Sequence, residues 1–153
     1  MMRRLLVLLA VTLSFASSAA HLVGGEITYT CLGSNQYQVK LRIYRDCFSG
    51  GAAFDNSVNF TVYNLAGTVV TNPSVPKGPT ISVPAGTGNP CLTTPPNICT
   101  EYAEYVATLT LPPVVRGYTI SYQRCCRNST ISNITNPGSR GNTYTVKIPS
   151  MDN

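Results

Sequence analysis

Six cysteines are the side chains of this sequence best suited to chemistry: Cys31, Cys47, Cys91, Cys99, Cys125 and Cys126. In an exported chain an even set reads as disulfides, and six cysteines allow fifteen connectivities. A zinc site would need Cys-x-x-Cys knuckles or mixed Cys/His clusters, and the sequence contains neither. Cys91 and Cys99 bracket a Pro-rich stretch. Closing that short loop would remove roughly 2.5 kcal/mol of unfolded-state entropy. Cys125 and Cys126 are adjacent, and a ring between neighbours is strained. On an extended backbone their side chains point to opposite faces. Each is therefore expected to take one of Cys31 and Cys47, with the order between them open. Those long loops would contribute roughly 4–5 kcal/mol each.

Other candidate chemistry is sparse. His21 is the only histidine. As a mature N-terminus it could chelate copper, but such a site needs a second histidine. The same shortage excludes a Ser or Cys nucleophile activated by an internal His base. The carboxylates are Glu26, Asp46, Asp55, Glu101, Glu104 and Asp152. Glycoside hydrolysis needs two that face each other across a cleft. Glu101 and Glu104 are three apart, so on a strand they point to opposite faces. Asp46 and Asp55 flank a Gly-rich loop that could hold calcium, but it lacks EF-hand spacing; turn formation is the simpler account. Nine tyrosines stand out against no tryptophan. Tyr29, Tyr44, Tyr63 and Tyr102 are expected at or near outward strand positions, where they could meet sugars or proteins or pack across strands. Asn59, Asn128 and Asn133 begin triplets of the N-glycosylation type, a signal with weight only in a eukaryotic source. No catalytic, cofactor-binding or metal-ligating residue is assigned, and no cofactor is expected.

The elements that must position these residues are strands. Tyr37, Val39, Leu41 and Ile43 alternate with polar neighbours, as do Val58, Phe60 and Val62. Ala103 to Leu111, Tyr118 to Tyr122 and Tyr144 to Ile148 do the same. Period two marks a half-buried strand. Weaker candidates are Glu26–Thr30, Thr68–Thr71 and Thr80–Val83. Between them lie Gly50-Gly51, Lys77-Gly78-Pro79, Pro112-Pro113 and Asn136-Pro137-Gly138, which punctuate the chain as turns. Residues 73–96 read as a long irregular crossing stapled by Cys91 and Cys99. Seven or eight short strands predict an all-β fold, an Ig-like two-sheet antiparallel sandwich stabilised by disulfides.

The first twenty residues read as a signal peptide. Met1 to Arg4 is basic, Leu5 to Ala16 is apolar and Ser17 to Ala20 is a small-residue cleavage region. The apolar run is too short to span a bilayer, which takes about 20 residues. Cleavage after Ala20 would leave a single domain, 21–153, secreted or on the cell surface. It would carry nine basic and six acidic residues. The basic residues form no run, so a nucleic-acid partner, which needs a clustered basic face, is not expected. Nor is a stable membrane span after cleavage.

Three segments together resemble one family. They are His21 to Tyr29, Tyr37 to Cys47 with its loop through Asn56, and Gly117 to Asn128, which contains Tyr122-Gln-Arg-Cys-Cys-Arg-Asn128. Pro90 to Cys99 and the Asn136-Pro-Gly-Ser139 segment are also similar. The chain resembles the N-terminal domain of gliding-motility-associated or PKD-repeat surface proteins of the Bacteroidetes, exported through the type IX system. The resemblance implies a noncatalytic surface module for adhesion or for assembly of a larger surface protein. Such proteins continue into repeats and a sorting domain, and this sequence ends at Asn153. The partner would be a surface protein or glycan. The competing expectations are a carbohydrate-binding sandwich, marked by coplanar tyrosines on a sheet face, and a small secreted hydrolase.

Overall fold

Alternating apolar residues can be buried only if one side of each strand meets another layer, and this chain makes that layer from itself. A computed structural model describes residues 22–48, 52–86, 91, 93, 97–128 and 131–150. Nine strands occur among them: β1 (Leu22–Gly33), β2 (Gln36–Asp46), β3 (Ser57–Asn59), β4 (Thr61–Tyr63), β5 (Val69–Thr71), β6 (Ser74–Val83), β7 (Thr100–Thr110), β8 (Tyr118–Cys125) and β9 (Gly141–Ile148). One sheet has the order β1-β2-β7-β6-β3 and the other β5-β4-β8-β9. All strand pairs are antiparallel. The expected two-sheet antiparallel sandwich is the observed fold. The signal segment and His21 lie outside the described residues.

The core is the set of side chains that the alternation places inward. Val39, Leu41 and Ile43 of β2 and Ala103 and Tyr105 of β7 meet Val62 and Ile120 of the opposite sheet and Phe60 at the crossing between the sheets, all 0% exposed. Each such aliphatic or aromatic burial is worth roughly 1.5–3 kcal/mol. The segment read from sequence as a single strand around Phe60 is two strands. β3 pairs with β6 in one sheet, while β4 pairs with β5 and β8 in the other. Phe60 is the crossing point, and its N–H leaves the ladder to donate to Pro73 O at 3.0 Å.

Residues 73–96 are not an irregular crossing throughout. Their first half is β6, ten residues long, which runs through Pro76 and the Lys77-Gly78-Pro79 expected as a turn. The sequence cue was misleading because a bulge absorbs it. The register with β7 shifts between Lys77 and Thr80, so Pro79 is not required to donate into the ladder. The β1–β2 hairpin turns on Ser34 and Asn35, both at positive φ, the backbone of a two-residue primed turn. Asn136-Pro-Gly-Ser forms a single 3-10 turn over Pro137–Ser139.

Candidate functional site

The outer face of the five-stranded sheet carries the most organised exposed chemistry. Tyr44 of β2 lies opposite Tyr102 of β7, which lies opposite Ile81 of β6. One register step along, Glu26, Arg42 and Glu104 form the next row across β1, β2 and β7. Two guanidinium nitrogens of Arg42 donate to Glu104 Oε1, Nε at 2.9 Å and Nη2 at 2.6 Å. Its Nη1 donates to the Tyr44 hydroxyl at 3.4 Å and lies 3.6 Å from Glu26. Lys40 Nζ adds a second cation 3.8 Å from Glu104. The guanidinium also sits 4.8 Å from the centroid of the Tyr102 ring, within cation–π range. The hydrogen bonds to Tyr44 and Glu104 raise the Arg42 pKa further above its already high value, so the charge is permanent. Ile81, Val83 and Val106 border the cluster and are exposed.

Tyr44 and Tyr102 therefore occupy the outward positions expected of them, but they make no flat platform. Their rings are 5.6 Å apart and tilted by 49°. The stacked pair, Tyr122 and Tyr144 with 13° between planes, includes a ring that is only 5% exposed. Tyr63 keeps its outward register position on β4. Tyr29 is a correction: it lies opposite Val39 on the inward side of β1 and packs against the core.

The second constellation closes one end of the sandwich. Arg124 Nη1 is 3.0 Å from Asp55 Oδ2. The Tyr105 hydroxyl donates to the Asp55 backbone carbonyl at 2.7 Å, and the Tyr122 hydroxyl reaches the Asp55 carboxylate at 3.5 Å. Burial pushes the Tyr105 pKa up to about 12, with the Asp55 charge adding to it and Arg124 opposing it. Burial also raises Tyr122, against the pull of Arg124. Arg45 pairs with Glu101 and donates to Ala52 O at 2.7 Å beside the Phe54 ring. Asp46 accepts the Phe48 N–H at 2.8 Å, a turn-forming role. Glu101 and Glu104 do point to opposite faces: one pairs with Arg45 at the sheet end, the other with Arg42 on the outer face. Among the described residues no three His, Cys, Asp or Glu side chains cluster as a metal site would.

The disulfide pairings differ from those expected. Cys99 bonds Cys47, not Cys91, and Cys125 bonds Cys126. Cys31 and Cys91 lie outside both bridges and are exposed. Register explains the first change. Asp46 lies opposite Thr100, so Cys47 and Cys99 are the next cross-strand pair, with Cys47 N–H donating to Cys99 O at 2.9 Å. The bridge staples neighbours in one sheet; the hallmark immunoglobulin bridge joins two sheets. Distance explains the second. Leu22 and Arg127 form a bridge at the Cys125 end of the molecule, whereas Cys31 lies opposite Tyr37, nine residues farther along β1. At about 3.3 Å per residue that is about 30 Å, beyond any disulfide. Antiparallel alignment of the two best alternating segments, Tyr37–Ile43 and Ala103–Leu111, was the sequence signal that could have paired Cys47 with Cys99. Of the triplet asparagines, Asn59 and Asn133 are exposed and Asn128 is buried.

No family model matches the chain, and neither a curated protein nor a solved structure matches it.

Proposed function

We propose that the chain is a noncatalytic binding module of an exported surface protein, serving adhesion or assembly through the outer face of its five-stranded sheet. One observation carries this reading. The row Tyr44–Tyr102–Ile81 lies directly beside the row Glu26–Arg42–Glu104 on an open sheet surface. Tyr and Arg beside exposed aliphatics make the composition that protein interfaces favour. The Arg42 ion pairs and ring contact hold these side chains in place before any partner arrives, which lowers the entropy lost on binding. The tilt of the tyrosine rings favours a protein partner over a sugar lying flat on this face. The surface-module role that the sequence resemblance implies, gliding included, fits such a face.

The test is adhesion of cells that carry the chain on their surface. Arg42→Ala combined with Tyr102→Ser should abolish adhesion while leaving the circular dichroism spectrum and surface abundance unchanged. Adhesion equal to that of the parent chain would remove this face from the mechanism. A glycan array provides the contrast: strong glycan binding lost in the same double variant would favour the carbohydrate reading.

A further inference from the structure

The opposite end of the molecule holds a cleft of about 270 Å³ lined by Leu65, Arg116, Gly117, Tyr118, Thr119, Lys147, Ile148 and Pro149. Its size is at the small end of ligand sites, so it suits one sugar-sized group. Two cations, Arg116 and Lys147, line it, and among the described residues neither has a carboxylate within ion-pair distance. The acidic side chains of the described residues are elsewhere. Glu26, Glu101 and Glu104 belong to the other sheet, and Asp46 and Asp55 lie at the far end. Arg127, Arg140 and Lys77 also lack a carboxylate partner among the described residues, but each donates to a backbone carbonyl, Gly141 O, Thr135 O and Gly78 O respectively.

The backbone builds the cleft with some expense. Arg116 adopts φ +72° and Gly117 φ +70°. An arginine in the left-handed region is strained, and such residues gather at ligand sites. Gly117 lets the turn lie flat on β9, since a Cβ there would fall 1.9 Å from Ile148 O. The guanidinium-bearing residue is thereby fixed against the strand that presents Lys147.

The surface leading into the cleft is rich in hydroxyls. Tyr63, Thr119 and Lys147 form one cross-strand row of the four-stranded sheet. In the next row Thr145 is exposed, while Ser121 is buried and Thr61 Oγ1 donates to Asn72 Oδ1 at 3.3 Å. Hydroxyl groups both donate and accept, which complements a chain of sugar hydroxyls. We infer that this cleft binds the carboxylate-bearing sugar of an acidic polysaccharide, with Arg116 and Lys147 holding the carboxylate and the hydroxyls of Tyr63, Thr119 and Thr145 receiving the adjoining residues. The inference stands independently of the proposed partner face on the other sheet.

Calorimetric titration of the purified, oxidised chain with a short oligogalacturonate tests it, alongside the neutral oligogalactose of the same length and a tetraglutamate peptide. Oligogalacturonate should bind, weaken with added salt, and lose at least about tenfold in affinity in the double variant Arg116→Asn, Lys147→Gln, since each lost charge-assisted contact is substantial. Asn tolerates positive φ, so this variant removes charge without adding backbone strain. Arg116→Lys should retain most of the binding. Neutral oligogalactose should show none. Equal affinity of parent and double variant would overturn the inference, and so would tetraglutamate binding as tightly as the uronate.

Discussion

The two ends of the sandwich are closed in opposite ways. At the end where β2 finishes and β7 begins, closure is covalent and ionic: Cys47–Cys99, Cys125–Cys126, Arg124 with Asp55, and Arg45 with Glu101. At the end where β8 begins and β9 finishes, closure uses backbone. Leu111 N–H donates to Asn35 O, Gly117 N–H to Val114 O, and the Tyr118 hydroxyl to Pro112 O. The first end engages four cysteines and two ion pairs with itself. The second leaves Arg116, Lys147 and the Cys31 thiol facing solvent. Reactive groups are therefore poor guides to function where they are most concentrated, and better ones where the fold has left them unanswered.

Cutting the covalent closure should have the largest effect. Cys47→Ala with Cys99→Ala opens a bridge with a sequence separation of 52. Chemical denaturation should show a loss of about 4 kcal/mol by the chain-entropy relation. Removing Cys125 and Cys126 should cost about 1 kcal/mol, because their ring constrains almost no chain. Peptide mapping without reductant should link the Cys47 and Cys99 peptides. A Cys91–Cys99 link would undo the comparison.

At the backbone-closed end, Gly117→Ala should destabilise by about 3 kcal/mol, combining overpacking with left-handed strain. Gly24→Ala, with nothing within 4 Å of its added Cβ, should leave the melting temperature nearly unchanged. Equal effects would mean that Gly117 does not hold that end shut. Arg124→Met should cost about 2 kcal/mol, between the values for buried and surface pairs because Asp55 is half-exposed.

Alkali should attack the ionic end through its tyrosines. Tyr105 has a pKa raised to about 12, so the fold favours its neutral form. That contribution is complete below the unfolded value near 10 and is lost as pH rises from there through 12. Thermal melts across that range should fall less steeply in Tyr105→Phe, which has no proton to lose. The smallest effect belongs to the open face between the two ends. Glu104→Gln should lower stability by less than about 1 kcal/mol, as exposed ion pairs do.

How far the sequence could be read depended on the range of the interactions involved. The alternation in Tyr37–Ile43, Ala103–Leu111 and Tyr118–Tyr122 identified β2, β7 and β8 because period two is a local property. The passage of β6 through Pro76 to Pro79 is not legible in the sequence, because a bulge opposite β7 accommodates Gly78 and Pro79, which would otherwise end a strand. Tyr44 and Tyr102 were legible as outward residues, but the tilt between their rings was not. Arg116 and Lys147 are 31 positions apart in sequence and carried no local signal as a pair.

Side-chain period, composition and turn residues by themselves determined that this chain is all-β, that its inward residues form one core, and that a sandwich is the way to cover them. Which cysteines meet, which arginines find a carboxylate and which are left without one were decided only in three dimensions. The reason is geometric. Faces follow from the two-residue repeat of an extended chain, whereas partners follow from strand order and register, and those emerge only when distant segments are laid side by side.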